Sequence, residues 1–537
     1  MVVYLAAYAA VGSWTVSFYP SYAWPAGDEA TYYSYALDPW RLVGGFFEGY
    51  RPKEVMNPYA FRLFLTPFSL VFSTVGFTVE GARLVHFAYG LALLGVMYAV
   101  GTRMAPPWVA LAVVVVFSLS PAFLYTTHVV RPEGLLTLFI MTCIGLIVHR
   151  DPPVSNRTYF GVGFVSAAAI FVHYNGVVLT PIALVALLAY DWRGVRPHVS
   201  PTATAAAHTG GTAGQASSGT RRGVLSWFAG TGLVGVVFLL VNVWPARETI
   251  REFGWLPVTF RSQNQIPLWQ EFGWARLVSE PAAVYVQYFS GKISLETETH
   301  WFSAALLPVA AFGLFYRAGR KERALGIVLG LTVLALFMVI PNLRDVYLYY
   351  LFPPVFVLAA SGLGKLPRRW DMVFLGGVLL ATIAAAYAWS DGRTLSRWHE
   401  RAEANRRTEA ELRRLVHSLG AAGEITVMAG QEFHAALHDT RFRTFHSILS
   451  THDVGRSLRL IRPDIVVLHR RSLQSIGLFL VNEQFESGET TVARREQRIE
   501  QDIVRSILRQ GFRLHPGAAL SWDNSWVQVY VKERIER

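Results

Sequence analysis

Charge is what this sequence has least of. Only 16% of its 537 residues are Asp, Glu, Lys or Arg, against about 25% in a typical soluble domain. Hydrophobic residues make up 52%, whereas a disordered chain is poor in them. The low charge argues against an ordinary soluble protein, and the apolar content excludes a disordered one.

Cysteine is nearly missing, because the chain has only Cys143, inside an apolar run. A single cysteine excludes an intramolecular disulfide and a cysteine-based metal site. The net charge of +12 invites a nucleic-acid partner. Most of the excess, however, lies in short connections between apolar segments, where the positive-inside tendency explains it. We therefore expect no nucleic-acid partner.

The few charged residues are unevenly distributed. Residues 390–537 hold 42 of them, 23 basic and 19 acidic, and residues 1–389 hold 44. This contrast predicts a polytopic α-helical membrane region over 1–390 and a soluble domain over 391–537. The first apolar stretch starts at the initiator methionine and is long enough to remain as a helix, unlike a cleaved signal peptide.

A membrane-spanning helix needs roughly 20 apolar residues. Eleven stretches qualify: 2–19, 81–102, 108–125, 132–148, 158–173, 175–190, 223–244, 301–316, 324–341, 347–363 and 371–389. The fifth and sixth are separated by His173-Tyr174-Asn175-Gly176. We interpret this break as a tight turn, and the alternative is one long kinked helix.

Orientation follows from the basic residues in the connections. One set of connections carries fourteen Lys and Arg, and the opposite short connections carry only Arg131 and Arg344. The first set is therefore cytoplasmic. This predicts a multi-pass plasma-membrane protein with a cytoplasmic N-terminus, an extracytoplasmic C-terminal domain, and two long external loops at 20–80 and 245–300. The stretch 59–77 within the first loop is predicted to be a helix at the membrane interface.

The C-terminal domain alternates helical and strand-like patterns. A polar helical pattern covers 393–419; strand-like runs cover 424–428, 464–469 and 526–531; helical stretches cover 453–461 and 497–510. The alternation predicts a small α/β domain. It contains no Gly-rich phosphate fingerprint after a strand.

Ionisable residues at the external helix ends are the candidates for function, since charge near a membrane core usually marks a site or pairs with another charge. Asp28 and Glu29 lie in the first external loop. Taken alone, such a pair is more often a helix start or a solvated turn.

A second group lies where the fourth helix begins, with His128, Arg131 and Glu133 around Pro132. Proline suits a first helical turn, and Glu133 favours the helix dipole there. A helix N-terminus also attracts phosphate, so the structural and functional interpretations are compatible.

A third group is Arg344, Asp345 and Tyr347. Arg344 either pairs with Asp345 or belongs to a binding site. Tyr347 is either an aromatic residue at the membrane interface or part of the same site. Fixed cations suit a phosphate leaving group. Carboxylates suit proton abstraction. Together these groups predict an external site for a lipid-phosphate substrate.

Three features, in this order, carry a resemblance to a known family. They are Gly27-Asp28-Glu29-Ala30 followed by Gly81-Ala82-Arg83-Leu84; Ser118-Leu119-Ser120-Pro121-Ala122-Phe123 followed by an acidic residue at the next helix start; and Arg344-x-x-Tyr347 before a late helix. Over roughly residues 1–390 the chain resembles the GT-C polytopic glycosyltransferases, in particular the branch of protein O-mannosyltransferases and lipid A aminoarabinose transferases.

The resemblance implies inverting transfer of a sugar from a polyprenyl-phosphate donor to a lipid, glycan or protein acceptor on the extracytoplasmic face. By position, Asp28 is the general base and Glu29 supports it or contacts a substrate. Arg131 and Arg344 hold the phosphate with Tyr347 nearby. Glu133 and His128 belong to the same region, and Glu133 stands where the family often has Asp.

One departure concerns the Lys-Pro-Pro motif of many relatives, because Met56-Asn57-Pro58-Tyr59 stands in its place. Lys53 or Arg62 is the candidate replacement. No cofactor is required, although two adjacent carboxylates also suit a divalent metal ion. The alternative function is a polytopic transporter or lipid flippase, which predicts internal repeats and mid-membrane charges. The halves show no repeat. A membrane-anchored sensor is a third possibility, but eleven spans exceed what an anchor needs.

Overall fold

The structure is a computed structural model, and it describes residues 1–18, 36, 62–191, 212–244, 302–339, 349–366, 370–419, 425–429, 433–437, 441–444, 458–459, 462–469, 501, 503–516, 520–522 and 525–533. The helices are α1 Val2–Thr15, α2 Arg62–Val75, α3 Val79–Gly101, α4 Pro107–Ser118, α5 Pro121–His128, α6 Pro132–Val148, α7 Asn156–Ala168, α8 Leu179–Asp191, α9 Thr212–Phe238, α10 Phe302–Phe315, α11 Arg320–Val339, α12 Phe352–Gly364, α13 Trp370–Leu419 and α14 His434–Leu437.

Prolines mark where several helices begin. Pro107, Pro132 and Pro353 lie in the first turns of α4, α6 and α12, where a missing N–H leaves no hydrogen bond unmade. The predicted stretch 108–125 is instead two helices, because α4 ends at Ser118 and α5 starts at Pro121. The Ser120 hydroxyl accepts from the Phe123 N–H at 3.2 Å and caps α5.

Each of the eleven predicted apolar stretches coincides with helical residues. Among the described residues, two helices, 79–101 and 220–243, are both long enough and apolar enough to cross a bilayer. Several shorter apolar helices accompany them. The number of eleven spans therefore stays a prediction.

The break at His173 is a turn between two helices. A 3₁₀ turn over Tyr174–Val178 joins α7 to α8, and the two helices pack against each other. The alternative of one long kinked helix is therefore wrong. Helix α9 begins at Thr212, within the Ala-, Thr- and Gly-rich segment preceding the seventh predicted span.

The described residues fall into two compact units. The first lies within Met1–Ser13, Met56–Pro67 and Leu84–Thr394, and the second within Trp14–Val55, Phe68–Arg83 and Leu395–Arg537. In the first unit α10 and α12 pack closely. A Cβ on Gly313 would lie 2.1 Å from the Leu358 carbonyl oxygen, and one on Gly362 would lie 2.2 Å from that of Val309. The two backbones touch, as small residues permit in membrane helices.

The second unit holds a mixed sheet. Its strands are β1 Thr426–Ala429, β2 Arg441–Thr444, β3 Ile465–His469, β4 Phe512–Leu514, β5 Leu520–Trp522 and β6 Ser525–Lys532. The order is β2-β1-β3-β6-β4, with β5 also on β6. β1 pairs in parallel with β2 and β3, while β6 pairs antiparallel with β3, β4 and β5. Parallel strands joined through helical segments, with residues 503–509 helical, agree with the predicted α/β alternation.

Two predictions for this region need correction. The predicted membrane helix 371–389 and polar helix 393–419 are one 50-residue helix, α13, because the fall in hydropathy near residue 390 does not interrupt helix formation. Strands β2, β4 and β5 were not anticipated, since three or four residues carry no readable alternation. Whether residue 390 is a domain boundary stays a prediction.

Candidate functional site

Arg131 and Glu133 form a two-point ion pair at the start of α6. The Nε of Arg131 donates to Oε2 of Glu133 at 3.2 Å, and its second guanidinium nitrogen donates to Oε1 at 3.0 Å. Arg131 is 4% exposed and Glu133 is 1% exposed. Because Arg131 has extended backbone at the N-cap, its side chain folds back over the first helical turn. The carboxylate therefore fixes the plane of the guanidinium.

His128 closes α5, immediately before this pair. Its Nδ1 lies 2.9 Å from the Leu124 carbonyl oxygen and 3.1 Å from the Thr127 hydroxyl. A carbonyl only accepts, so Nδ1 carries the proton, and in the neutral ring Nε2 has the lone pair. The ring packs edge-on against Phe87 at 6.0 Å. His128, Arg131 and Glu133 are thus buried within one short connection.

His86, on α3, contacts residues on both sides of the connection between α5 and α6. It is not among the site residues predicted from the sequence. Its Nε2 donates to the Thr126 carbonyl oxygen at 2.6 Å. A Cβ on Gly134 would lie 3.1 Å from the imidazole Cε1, so the ring rests on the first turn of α6. Phe64 of α2 packs edge-on against the same ring at 6.1 Å. The only available signal was a histidine inside an apolar span.

Helix α1 also contacts this region. The Tyr8 hydroxyl donates to the Ser118 carbonyl at 2.9 Å. The Tyr8 ring stacks on Phe87 at 5.8 Å, the ring that contacts His128. The Ser118–Phe123 motif thus separates α4 from α5 and provides the carbonyl oxygen to which α1 is hydrogen-bonded.

A small, partly open apolar cavity lies along α6. Its lining is mainly aliphatic and consists of Leu136, Ile140, Asn175, Val178, Leu179, Ile182, Thr332, Ala335 and Tyr350. Leu136 and Ile140 follow Glu133 by three and seven residues, which is the spacing of a single helix face. The buried ion pair and the apolar cavity therefore lie on the same face of α6.

The remaining predicted site residues are distributed as follows. Asp28, Glu29, Lys53, Arg344 and Tyr347 lie outside the described residues. Arg62 is the first residue of α2, two residues before Phe64. In the described ranges, no three His, Cys, Asp or Glu side chains are grouped so as to hold a metal ion. Of the predicted residues, His128, Arg131 and Glu133 thus lie close together, and the start of α2 lies near His86.

The chain has a GT-C-like fold, as the sequence predicts, because it is similar in structure to ArnT and to an archaeal oligosaccharyltransferase. Crystal structures of ArnT from Cupriavidus metallidurans are similar over nearly the whole chain. The form bound to undecaprenyl phosphate has a TM-score of 0.63 at 12% identity, covering 99% of this chain and 98% of that one. The apo form has a TM-score of 0.61 at 13% identity, with 99% and 97% covered.

A more distant similarity is to the oligosaccharyltransferase of Archaeoglobus fulgidus in complex with zinc and sulfate. Its TM-score is 0.50 at 12% identity, covering 88% of this chain and 69% of that one. No protein-family model matches the sequence, and no curated protein matches it. At these identities the similarity establishes the fold.

Proposed function

We propose that this protein is a membrane glycosyltransferase that transfers a sugar from a polyprenyl-phosphate-linked donor to a lipid, glycan or protein acceptor on the extracytoplasmic face, with inversion. One observation carries the proposal. The fold matches, over 99% of the chain, that of a protein bound to undecaprenyl phosphate. The buried Arg131–Glu133 pair and the aliphatic residues on the same face of α6 support it, because a lipid phosphate needs both a polar and an apolar surface.

The phosphate end of the donor is assigned to the start of α6. Arg131 supplies an oriented guanidinium, and the helix N-terminus adds partial positive charge. Arg344, Tyr347 and His128 are proposed to complete this end, with Lys53 or Arg62 as a further cation. Positive groups around the departing phosphate stabilise the charge that develops as the bond to the sugar breaks.

The proposed base is Asp28, supported by Glu29. The acceptor O–H or N–H gives its proton to the Asp28 carboxylate while the acceptor atom attacks the anomeric carbon. The bond from that carbon to the phosphate oxygen breaks, and the polyprenyl phosphate leaves from the opposite face, which gives inversion by single displacement. Because phosphate is a good leaving group, no strong acid is needed. Base assistance contributes roughly 10²–10⁴-fold.

The proposed arrangement is an eleven-span region over 1–390 and a soluble extracytoplasmic domain over 391–537. Cys143 is the single cysteine and is buried, so a Cys143→Ala chain is a clean background for labelling. An impermeant maleimide on intact cells should label Ser418→Cys, in the tail, but not Ser200→Cys, in a connection assigned to the cytoplasm. The opposite pattern rejects this topology.

The decisive test uses the natural donor. A strain lacking the gene should accumulate one lipid-linked sugar, which mass spectrometry identifies. Membranes carrying Asp28→Asn should then fail to transfer that labelled sugar, whereas Asp38→Asn, in the same loop, should transfer normally. Normal transfer by Asp28→Asn rejects the base assignment. Movement of the lipid across the membrane without a new glycosidic bond favours the transporter or flippase alternative.

A further inference from the structure

We infer that the connection between α10 and α11 binds the headgroup of an anionic phospholipid at the membrane surface. Helix α10 ends at Phe315 and α11 begins at Arg320, and the predicted topology places the connection between them at the cytoplasmic face. Four basic residues lie within seven positions here, namely Arg317, Arg320, Lys321 and Arg323. Clustered cations at the end of a membrane helix attract anionic lipid headgroups.

The one acid of this region is already occupied. Glu322 is the only acidic residue in α10, α11 and their connection, and it is 8% exposed. Its Oε2 accepts from the Gly319 N–H at 2.9 Å, and its Oε1 accepts from the Ser361 hydroxyl at 3.0 Å and lies 3.1 Å from Nζ of Lys365. In the described part of the chain, none of the four basic residues forms an ion pair. Their charge is therefore left for a partner outside the protein.

Two of the arginines are brought to the same turn. A guanidinium nitrogen of Arg323 donates to the Ala318 carbonyl oxygen at 3.3 Å, so this side chain reaches back along the connection to the residue after Arg317. The guanidinium carbon of Arg317 lies 5.4 Å from the centroid of the Tyr316 ring. Both arginines are exposed. Their remaining N–H groups are available to a phosphate, which guanidinium groups bind through paired hydrogen bonds.

Exposed aromatic rings beside these cations favour a lipid over a soluble anion. Phe315 is 79% exposed and Tyr316 is 42% exposed, at the end of the apolar helix α10. Aromatic side chains at a helix end are typical of the membrane interface. A soluble phosphate compound would use the cations and leave Phe315 in water, and a second copy of the chain would bring like charges together. An anionic phospholipid fits both the charge and the apolar surface.

The test is lipid binding by the purified full-length protein, measured by native mass spectrometry. Phosphatidylglycerol and phosphatidylcholine with the same acyl chains are titrated separately. The natural protein should bind phosphatidylglycerol more tightly. The pair Arg317→Gln with Arg323→Gln should raise the dissociation constant for phosphatidylglycerol about tenfold or more, as expected for two cations near a lipid phosphate. The same pair should leave phosphatidylcholine binding unchanged.

A matched control separates a local site from the general attraction of a basic protein surface. Arg150→Gln with Arg157→Gln removes the same charge from exposed positions in another connection assigned to the cytoplasm, and this pair should bind phosphatidylglycerol as the natural protein does. Arg317→Lys with Arg323→Lys keeps the charge and should retain most of the preference for phosphatidylglycerol.

Three results would overturn the lipid site. The natural protein could bind the two lipids equally, or the control pair could lose as much phosphatidylglycerol binding as the Arg317 and Arg323 pair. Glycerol phosphate, which has the headgroup chemistry without acyl chains, could displace the lipid at an equal concentration, which would indicate a site for a soluble anion. Sugar transfer is not measured, so the result is independent of the proposed function.

Discussion

Arg131 and Glu133 are joined by two hydrogen bonds while both side chains are almost fully buried. Neither is therefore an isolated charge at the end of a helix. The carboxylate sets the direction in which the guanidinium points, and the guanidinium supplies two N–H donors to the buried carboxylate. The pair is a structural unit as well as a candidate binding group, and substitutions can separate the two roles.

Removing one partner should destabilise the protein strongly. Glu133→Leu removes the buried carboxylate that pairs with Arg131, and removing one partner of a buried ion pair typically costs about 3–5 kcal/mol. The double change Arg131→Met with Glu133→Leu should restore most of the thermal stability, because no lone charge remains. It should still abolish binding of undecaprenyl phosphate. A double variant that binds the lipid normally would show that the pair has only a structural role.

We expect His86 to affect activity indirectly, by positioning the connection between α5 and α6. His86→Gln retains an N–H that reaches towards the Thr126 carbonyl, whereas His86→Phe keeps the ring against Gly134 but has no donor. We expect His86→Gln to retain most transfer activity and His86→Phe to lose about tenfold in kcat/KM, through a higher KM for the lipid donor. Equal KM values in the two variants, with equal folded yield, would remove this role.

The close contact between α10 and α12 leads to a prediction about stability. Gly362→Ala places a methyl group about where the Val309 carbonyl oxygen lies, so the helices must separate. We expect a loss of at least 2 kcal/mol, in the upper range for overpacking. Gly330→Ala on α11 is the control, because a Cβ there meets nothing within 4 Å and alanine favours a helix. Similar unfolding temperatures for the two variants would contradict the observed contact.

Asp391 predicts a pH dependence. Burial raises the pKa of this carboxyl well above its usual value, and its Oδ1 has no hydrogen-bond partner in the described chain. The folded state therefore holds the proton more tightly than the unfolded state, and stability is lost as the pH rises from about 4 through the raised folded pKa. Asp391→Asn should unfold at a higher temperature than the natural protein at neutral pH, and the difference should vanish near pH 4. Exposed Glu400→Gln on the same helix should show no such trend.

The sequence was most informative where local signals coincide. Helix α6 occupies 132–148 as predicted, because a proline, a first-turn acid and an apolar run all mark the same element. β3 and β6 lie within one residue of the predicted runs because their apolar residues are continuous or alternate. The continuity of α13 was missed because hydropathy changes at residue 390 while helix-forming residues continue on both sides.

The candidate site, like the fold, could be predicted from the sequence only in part. The chain places Arg131 and Glu133 two residues apart, so their proximity was predictable, although their two-point pairing was not. His86 joins the site through a carbonyl 40 residues away, and no spacing rule connects the two.

The sheet has an order of assembly built into it. β6 forms ladders with β3, β4 and β5, yet it follows all three along the chain. While the protein is being made, β3 can pair on one side with β1, but its other side stays unpaired until β6 emerges. β4 and β5 likewise have to wait for it. Completion of the sheet is therefore a late event, and until then the growing domain exposes the edge of its most deeply buried strand.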